Sequence, residues 1–172
     1  MTTKHLCRHC KRELEVTFLD LGFAPPSNAY LSDENLQQSE KYYPLKVKVC
    51  DSCFLVQTED YAAADEFFSA DYAYFSSTSS SFLEHAAKYA KKMIKELDLD
   101  QNSFIVEIAS NDGYLLKNFV SASIPCLGIE PTDSTANKAD QIGVPTLREF
   151  FNESLANKLV KEGNQADLIA GN

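Results

Sequence analysis

The sequence predicts an α/β protein in two parts: a small ribbon-like module closed by cysteines, then a partial doubly wound parallel sheet. Three observations predict it. Two Cys-x-x-Cys pairs, Cys7/Cys10 and Cys50/Cys53, bracket the first part. From residue 103 onward, apolar strand patterns alternate with helical ones over short connections, the pattern that yields parallel strands with right-handed crossovers. Gly143 and Gly163 stand where two of those helices must end, because glycine is favoured just past a helix C-terminus.

The bulk numbers fit this division. With 172 residues, 44% of them hydrophobic and 24% charged, the chain can bury a core and reads as globular. A net charge of −9 with scattered basic residues speaks against a nucleic-acid partner, since neutralising phosphates needs a basic stripe. No apolar run approaches a membrane span, and Met-Thr-Thr-Lys-His-Leu-Cys lacks the apolar core of a signal peptide. A cytoplasmic location is expected, and in a reducing compartment paired cysteines read as metal ligands or free thiols before disulfides.

Residues 1–60 form the first part. Leu45, Val47 and Val49 alternate with Lys46 and Lys48, which predicts a half-exposed strand running into the second cysteine pair. So little else is apolar in a core-forming pattern that a cross-link is needed. Cys7, Cys10, Cys50 and Cys53 supply it: two knuckles separated by thirty-nine residues can aim four thiolates at one tetrahedral ion, giving a zinc-ribbon-like module. Four thiolates close the coordination shell, so the metal is expected to be structural, and they accept zinc and iron alike. His5 and His9 flank the first knuckle and are expected to support it or face solvent. Cys126 reads as a buried strand residue.

Residues 61–100 read as a connector and a helix. The connector is aromatic and then serine-rich, Asp71-Tyr-Ala-Tyr-Phe-Ser-Ser-Thr-Ser-Ser-Ser81. Ser81-Phe-Leu-Glu84 has the form of a capping box, and Phe82, Ala86, Ala90, Met93, Ile94 and Leu97 recur at helical spacing behind it. His85 falls on the polar side of that helix.

Residues 101–172 carry the sheet. Strands are expected at Phe104 to Ala109, Cys126 to Glu130, Val144 to Leu147 and Asp167 to Ala170, with helices from Gly113, Ser134 and Glu153. Ligands of such sheets bind at the carboxyl ends of the strands. After the first strand the turn lacks the G-x-G-x-x-G that lets a pyrophosphate approach, because Ala109 and Asn111 stand at the first two glycine positions. It carries Glu107, Asn111 and Asp112 instead, a set suited to a cationic, hydroxyl-rich ligand. Glu130 ends the second strand where a carboxylate grips ribose hydroxyls in nucleoside-binding folds. Arg148-Glu-Phe-Phe151 follows the third, and Phe150 and Phe151 serve equally as adenine contacts or as core.

These residues together resemble a family. The two cysteine pairs, Tyr72-Ala-Tyr-Phe-Ser-Ser-Thr-Ser79, Val106-Glu-Ile-Ala-Ser-Asn-Asp-Gly-Tyr-Leu-Leu116, Gly128-Ile-Glu-Pro131 and Asp167-Leu-Ile-Ala-Gly-Asn172 are similar to S-adenosylmethionine-dependent sugar C-methyltransferases. That family has an N-terminal zinc-binding domain followed by a class I, Rossmann-like methyltransferase fold, and the resemblance covers nearly the whole chain. It implies S-adenosylmethionine (SAM) as cofactor, held around Glu107, Ala109, Ser110, Asn111, Asp112, Gly113, Glu130 and Pro131, with Ser77 or Ser79 nearby. It implies a nucleotide-linked keto-deoxysugar as substrate, with Tyr72 and Tyr74 on the substrate side, and methyl transfer to a carbon beside the ketone. Members of the family continue past the motif at Asp167 and carry their catalytic histidine there. The resemblance therefore implies a front portion lacking its base, with an open strand edge for self-pairing or for a C-terminal half. The competing expectation is a zinc-dependent binding module without catalysis.

Overall fold

The computed structural model describes residues 5–171, so the initial Met-Thr-Thr-Lys and the last residue of the Asp167 motif, Asn172, lie outside the described residues. The chain divides into two compact units between Phe67 and Phe68.

The first unit holds a three-stranded antiparallel sheet. Strand β1 (Val16–Ala24) pairs with β2 (Tyr43–Val49), which pairs with β3 (Val56–Thr58). The alternating run at Leu45 to Val49 is β2, as expected. The register of β1 on β2 shifts between Thr17 and Leu19 and again between Asp20 and Phe23, so β1 bends instead of presenting one clean face. A short helix, α1 (Ala64–Phe67), closes the unit. Its buried cluster is Leu14 with Cys7 and Cys50, against which Cys10 and Cys53 pack.

The second unit is an α/β layer structure. Helix α2 (Ser80–Glu96) leads into β4 (Ile105–Ile108), α3 (Lys117–Ser121), β5 (Cys126–Ile129), α4 (Asp133–Gln141), β6 (Thr146–Leu147), α5 (Glu153–Lys161) and β7 (Leu168–Gly171). The strands run parallel in the order β6-β5-β4-β7. Strand order reverses at β4, the switch point at which doubly wound sheets open a crevice. Alternation along β4 serves both faces. Ile105 joins Ala86, Ala90, Leu116 and Phe119 on the α2 side, while Val106 joins Ile129, Leu155 and Leu159 on the α5 side. The expected partial doubly wound fold is present.

Three boundaries differ from the sequence reading. The cap of α2 is Ser79, whose side chain accepts from the Phe82 amide; Ser81 bonds the Ser79 hydroxyl, and Glu84 pairs with Lys88 at 2.7 Å. A run of serines offers several equivalent caps, and the one preceding the helical dihedrals wins. The helix expected from Gly113 begins at Lys117, because Ala109, Asn111 and Gly113 all take positive φ (55°, 51° and 76°) and wind the chain into a turn first. Strand β6 is two residues long. Gly143 and Gly163 end α4 and α5 with φ of 79° and 85°, as expected.

Candidate functional site

The four cysteines converge from two knuckles of one design. In each, the residue after the second cysteine takes a left-handed conformation, Lys11 at φ 61° and Phe54 at φ 62°. In each, its amide donates back to the first cysteine's carbonyl, Lys11 to Cys7 at 3.0 Å and Phe54 to Cys50 at 2.9 Å. The Cys7 amide in turn donates to the Arg12 carbonyl, and that of Cys50 to the Leu55 carbonyl. The four sulfurs lie within 4.8 Å of one another, with Cys7–Cys53 at 3.6 Å and Cys10–Cys50 at 3.5 Å. A tetrahedral zinc with bonds of about 2.3 Å separates its sulfurs by about 3.8 Å, whereas a disulfide requires about 2.05 Å. The donor set therefore fits a tetrahedral metal and not crossed disulfides.

Electrostatics agree. The Cys10 amide, with Gln57 and the His9 amide assisting against burial, pulls the Cys7 thiol down to about 6. Amides of Cys53 and Ser52 likewise lower Cys50. Although the Leu55 amide lowers Cys53, burial and its three sulfur neighbours push it up to about 12. Four thiolates cannot be ionised together here without a cation among them. Gln57, which the sequence reading missed, is buried and donates to the Cys7 sulfur at 3.3 Å while accepting from the Arg8 amide at 3.0 Å. A lone glutamine in a three-residue strand gives no signal beforehand. His5 packs on the Tyr61 ring and His9 contributes through its backbone.

In the second unit, the turns after β4 and β5 interlock. Glu130 is buried, its Oε2 accepting from the Asn111 amide at 2.9 Å and its Oε1 from the Thr132 amide at 3.0 Å and hydroxyl at 2.6 Å. That uses three of roughly four acceptor positions of a carboxylate, so capacity for another donor remains. Thr132 also bonds the Thr135 hydroxyl, which holds the start of α4.

Asn111 and Asp112 face the connector. The Asn111 side chain accepts from the Ser76 amide at 2.8 Å and donates to the Tyr74 carbonyl at 3.0 Å, and Asp112 accepts from the Ser77 amide at 3.1 Å. Their side chains thus fasten the Tyr74–Ser77 segment over the turn, a task no sequence-local pattern reveals. Ser134 adds a bond to the Tyr72 carbonyl at 2.6 Å.

Under this fastened segment lies a cavity of about 420 Å³ at the carboxyl ends of β4 and β5. Of the residues singled out in the sequence, Tyr72, Tyr74, Ala109, Asn111, Glu130 and Pro131 line it, and Phe150 and Phe151 complete the far wall. Phe68 and Ser76, not singled out for this role, line it as well. Ser77, Ser110, Asp112 and Gly113 do not. Asp112 and Ser110 lie buried behind the turn, and Gly113 sits against Val144 and Ala139. Glu107 faces the opposite way, into a smaller cavity of about 190 Å³ beside α2. A mostly apolar cleft of this volume, with the Glu130 carboxylate on its floor and Glu149 beside Phe150 in its wall, is the usual form of a small-molecule site. With Glu130 for hydroxyls and two phenylalanines for a flat ring, the lining fits a nucleoside.

Known proteins resemble this chain in its first unit and along its sequence. Residues 7–68 match the family model described as a putative zinc binding domain, Methyltransf_13. Over 165 residues, 96% of this chain, the sequence is 27% identical to the C-methyltransferase NovU of Streptomyces niveus. The match takes in 39% of that relative's length, so the chain spans about two-fifths of it. A solved structure, the crystal structure of MccD protein, aligns over 51% of this chain and 32% of its own at 18% identity with a TM-score of 0.28. The N-terminal unit thus matches a putative zinc-binding domain, and its four clustered cysteines agree with that match. The chain as a whole is similar to part of a C-methyltransferase, which bears out the resemblance drawn from its motifs. Among the described residues no helix is long and apolar enough to cross a membrane.

Proposed function

We propose that the second unit binds S-adenosylmethionine in the cavity over Glu130, and that the chain serves methyl transfer to a carbon beside the ketone of a nucleotide-linked deoxysugar. The observation that carries this reading is Glu130 at the end of β5, on the floor of a cavity of about 420 Å³ walled by Pro131, Ala109 and Phe150. Glu130 would hold the ribose hydroxyls and Phe150 with Phe151 the adenine. When bound, the cofactor supplies an electrophilic methyl group. Tyr72 and Tyr74, on the connector side of the same cavity, would face the acceptor sugar. Ser77 and the Ala109–Gly113 turn would shape the approach to it. The four-cysteine centre would hold a structural zinc, kept in the thiolate state by a reducing cytoplasm. Among the described residues strand β7 pairs with β4 alone, and Ile169 is 60% exposed there. A further part of the same enzyme, or a second copy, would add at that edge.

A second reading, a zinc-dependent binding module without catalysis, draws on the commitment of the Asn111 and Asp112 side chains to the connector. Calorimetric titration of the zinc-loaded chain with S-adenosylhomocysteine, and separately with NAD, decides between them. Saturable binding of the first, weakened tenfold or more in Phe150→Ala with the fold intact, supports SAM as ligand. Absence of binding by folded, zinc-loaded protein would sink that reading and leave the module.

A further inference from the structure

The three-stranded sheet of the first unit turns its apolar face outward. Register fixes the two faces, since residues directly opposite in an antiparallel ladder point the same way. Val16, Val49 and Val56 lie in one row, Leu19 and Val47 in the next, and alternation along β2 puts Leu45 on the same side. Thr17, Lys48 and Gln57 share the other face with Asp20 and Lys46. That polar face is the covered one. Gln57 is buried against Cys7, and the ion-paired side chains of Lys48 and Glu59 are 13% and 6% exposed. On the apolar face Val16, Leu19, Leu45 and Val56 are 40–53% exposed. At its Tyr43 end Phe67 of α1 packs on the tyrosine ring with centroids 5.0 Å apart.

An antiparallel sheet normally buries its apolar face on a second layer. The buried cluster of this unit, Leu14 with the cysteines, supplies none. We propose that a second copy of this chain does, the two apolar faces stacking about a two-fold axis into a sandwich of two three-stranded sheets.

Two properties make the face complementary to itself. It carries no charge, because Asp20, Lys46, Lys48 and Glu59 stand on the other side, paired as Lys46–Asp20 at 3.1 Å and Lys48–Glu59 at 3.4 Å. Two copies of a chain with net charge −9 therefore meet there without like charges opposed. Its area also suffices. At the exposures given, the face presents about 500 Å² per copy, so the pair buries on the order of 1,000 Å², the size at which specific association begins. An interface of that size fits a dimer that exchanges with monomer at micromolar concentration.

Sedimentation equilibrium of the zinc-loaded chain from about 1 to about 100 μM tests this. Passage from a monomer of 19.2 kDa to twice that mass is expected within the range. Leu19→Lys and Val56→Lys each place an ammonium group in the stacked face and should weaken dimerisation roughly tenfold or more, with zinc content and amide protection in β2 retained. Ile169→Lys, at the β7 edge of the other unit, should leave dimerisation unchanged. In the wild type, hydroxyl-radical labelling of Leu19 and Val56 should rise on dilution across the same range, a readout that needs no variant to fold. A chain monomeric throughout overturns the proposal and leaves the face to a different protein. A dimer abolished by Ile169→Lys, or one whose Leu19 and Val56 label equally at both concentrations, overturns it as well.

Discussion

The backbone amide of Asn111 donates to the Glu130 carboxylate at 2.9 Å, so the turn after β4 cannot move without the end of β5. The same Asn111 anchors Ser76 through its side chain. One residue therefore links strand, turn and connector around the cavity. Asn111→Ala should leave the Ser76 amide without its acceptor and cost about 1–3 kcal/mol. Hydrogen exchange at Ser76 and Ser77 should accelerate well beyond that at β4. Equal acceleration throughout the sheet would show that the side chain supports the fold at large and not the connector.

Much of this site was legible and some of it was not, for physical reasons. The apolar run at Ile105 to Ile108, ending in small and polar residues, marks a buried strand entering a turn, and its neighbours in sequence are its neighbours in space. The partners of Asn111 and Asp112 stand thirty-five residues away, where no periodicity points. Strand β1 was missed because Val16–Ala24 is exposed along most of its length and twice out of register with β2, so it lacks strict alternation. The cysteine centre was readable because ligand chemistry fixes spacing, whereas Gln57, which supports it, carries no spacing rule.

Gly128 and Ser110 are packed so closely that a Cβ at Gly128 would lie 2.9 Å from Cβ of Ser110 and nearer still to its Oγ. Ser110 is fully buried and has nowhere to retreat. Gly128→Ala should destabilise the second unit by about 1–3 kcal/mol as an overpacked core site. Adding Ser110→Gly should recover much of that loss. Strictly additive effects in urea unfolding of the four variants would contradict the packing described.

The first unit depends on its metal. Its buried cluster consists of Leu14 and the cysteines, too little apolar surface to hold three strands alone. The purified chain should contain one zinc, and chelation should abolish amide protection in β2 and β3 while β4 and β5 keep theirs. Cys50→Ser should do the same without chelator. Retained protection in β2 after complete metal removal would show that the sheet stands unaided.

Stability should fall as pH rises through the range in which Glu107 would ionise. In the unfolded chain this carboxyl titrates near its ordinary value of 4.5, and burial in the folded protein raises it to about 8. Between those values the folded protein holds a proton that the unfolded chain has released. Folding then takes up a proton, stability declines with pH, and the decline levels off above about 8. Glu107→Gln has nothing to ionise and lacks that slope. The variant should match the wild type near pH 4.5 and exceed it by the order of a few kcal/mol above pH 8. Urea unfolding of both proteins at pH 5, 7 and 9 measures the difference. A gap that does not widen with pH would mean that Glu107 is already ionised in the folded protein, with the Tyr114 side chain outweighing burial.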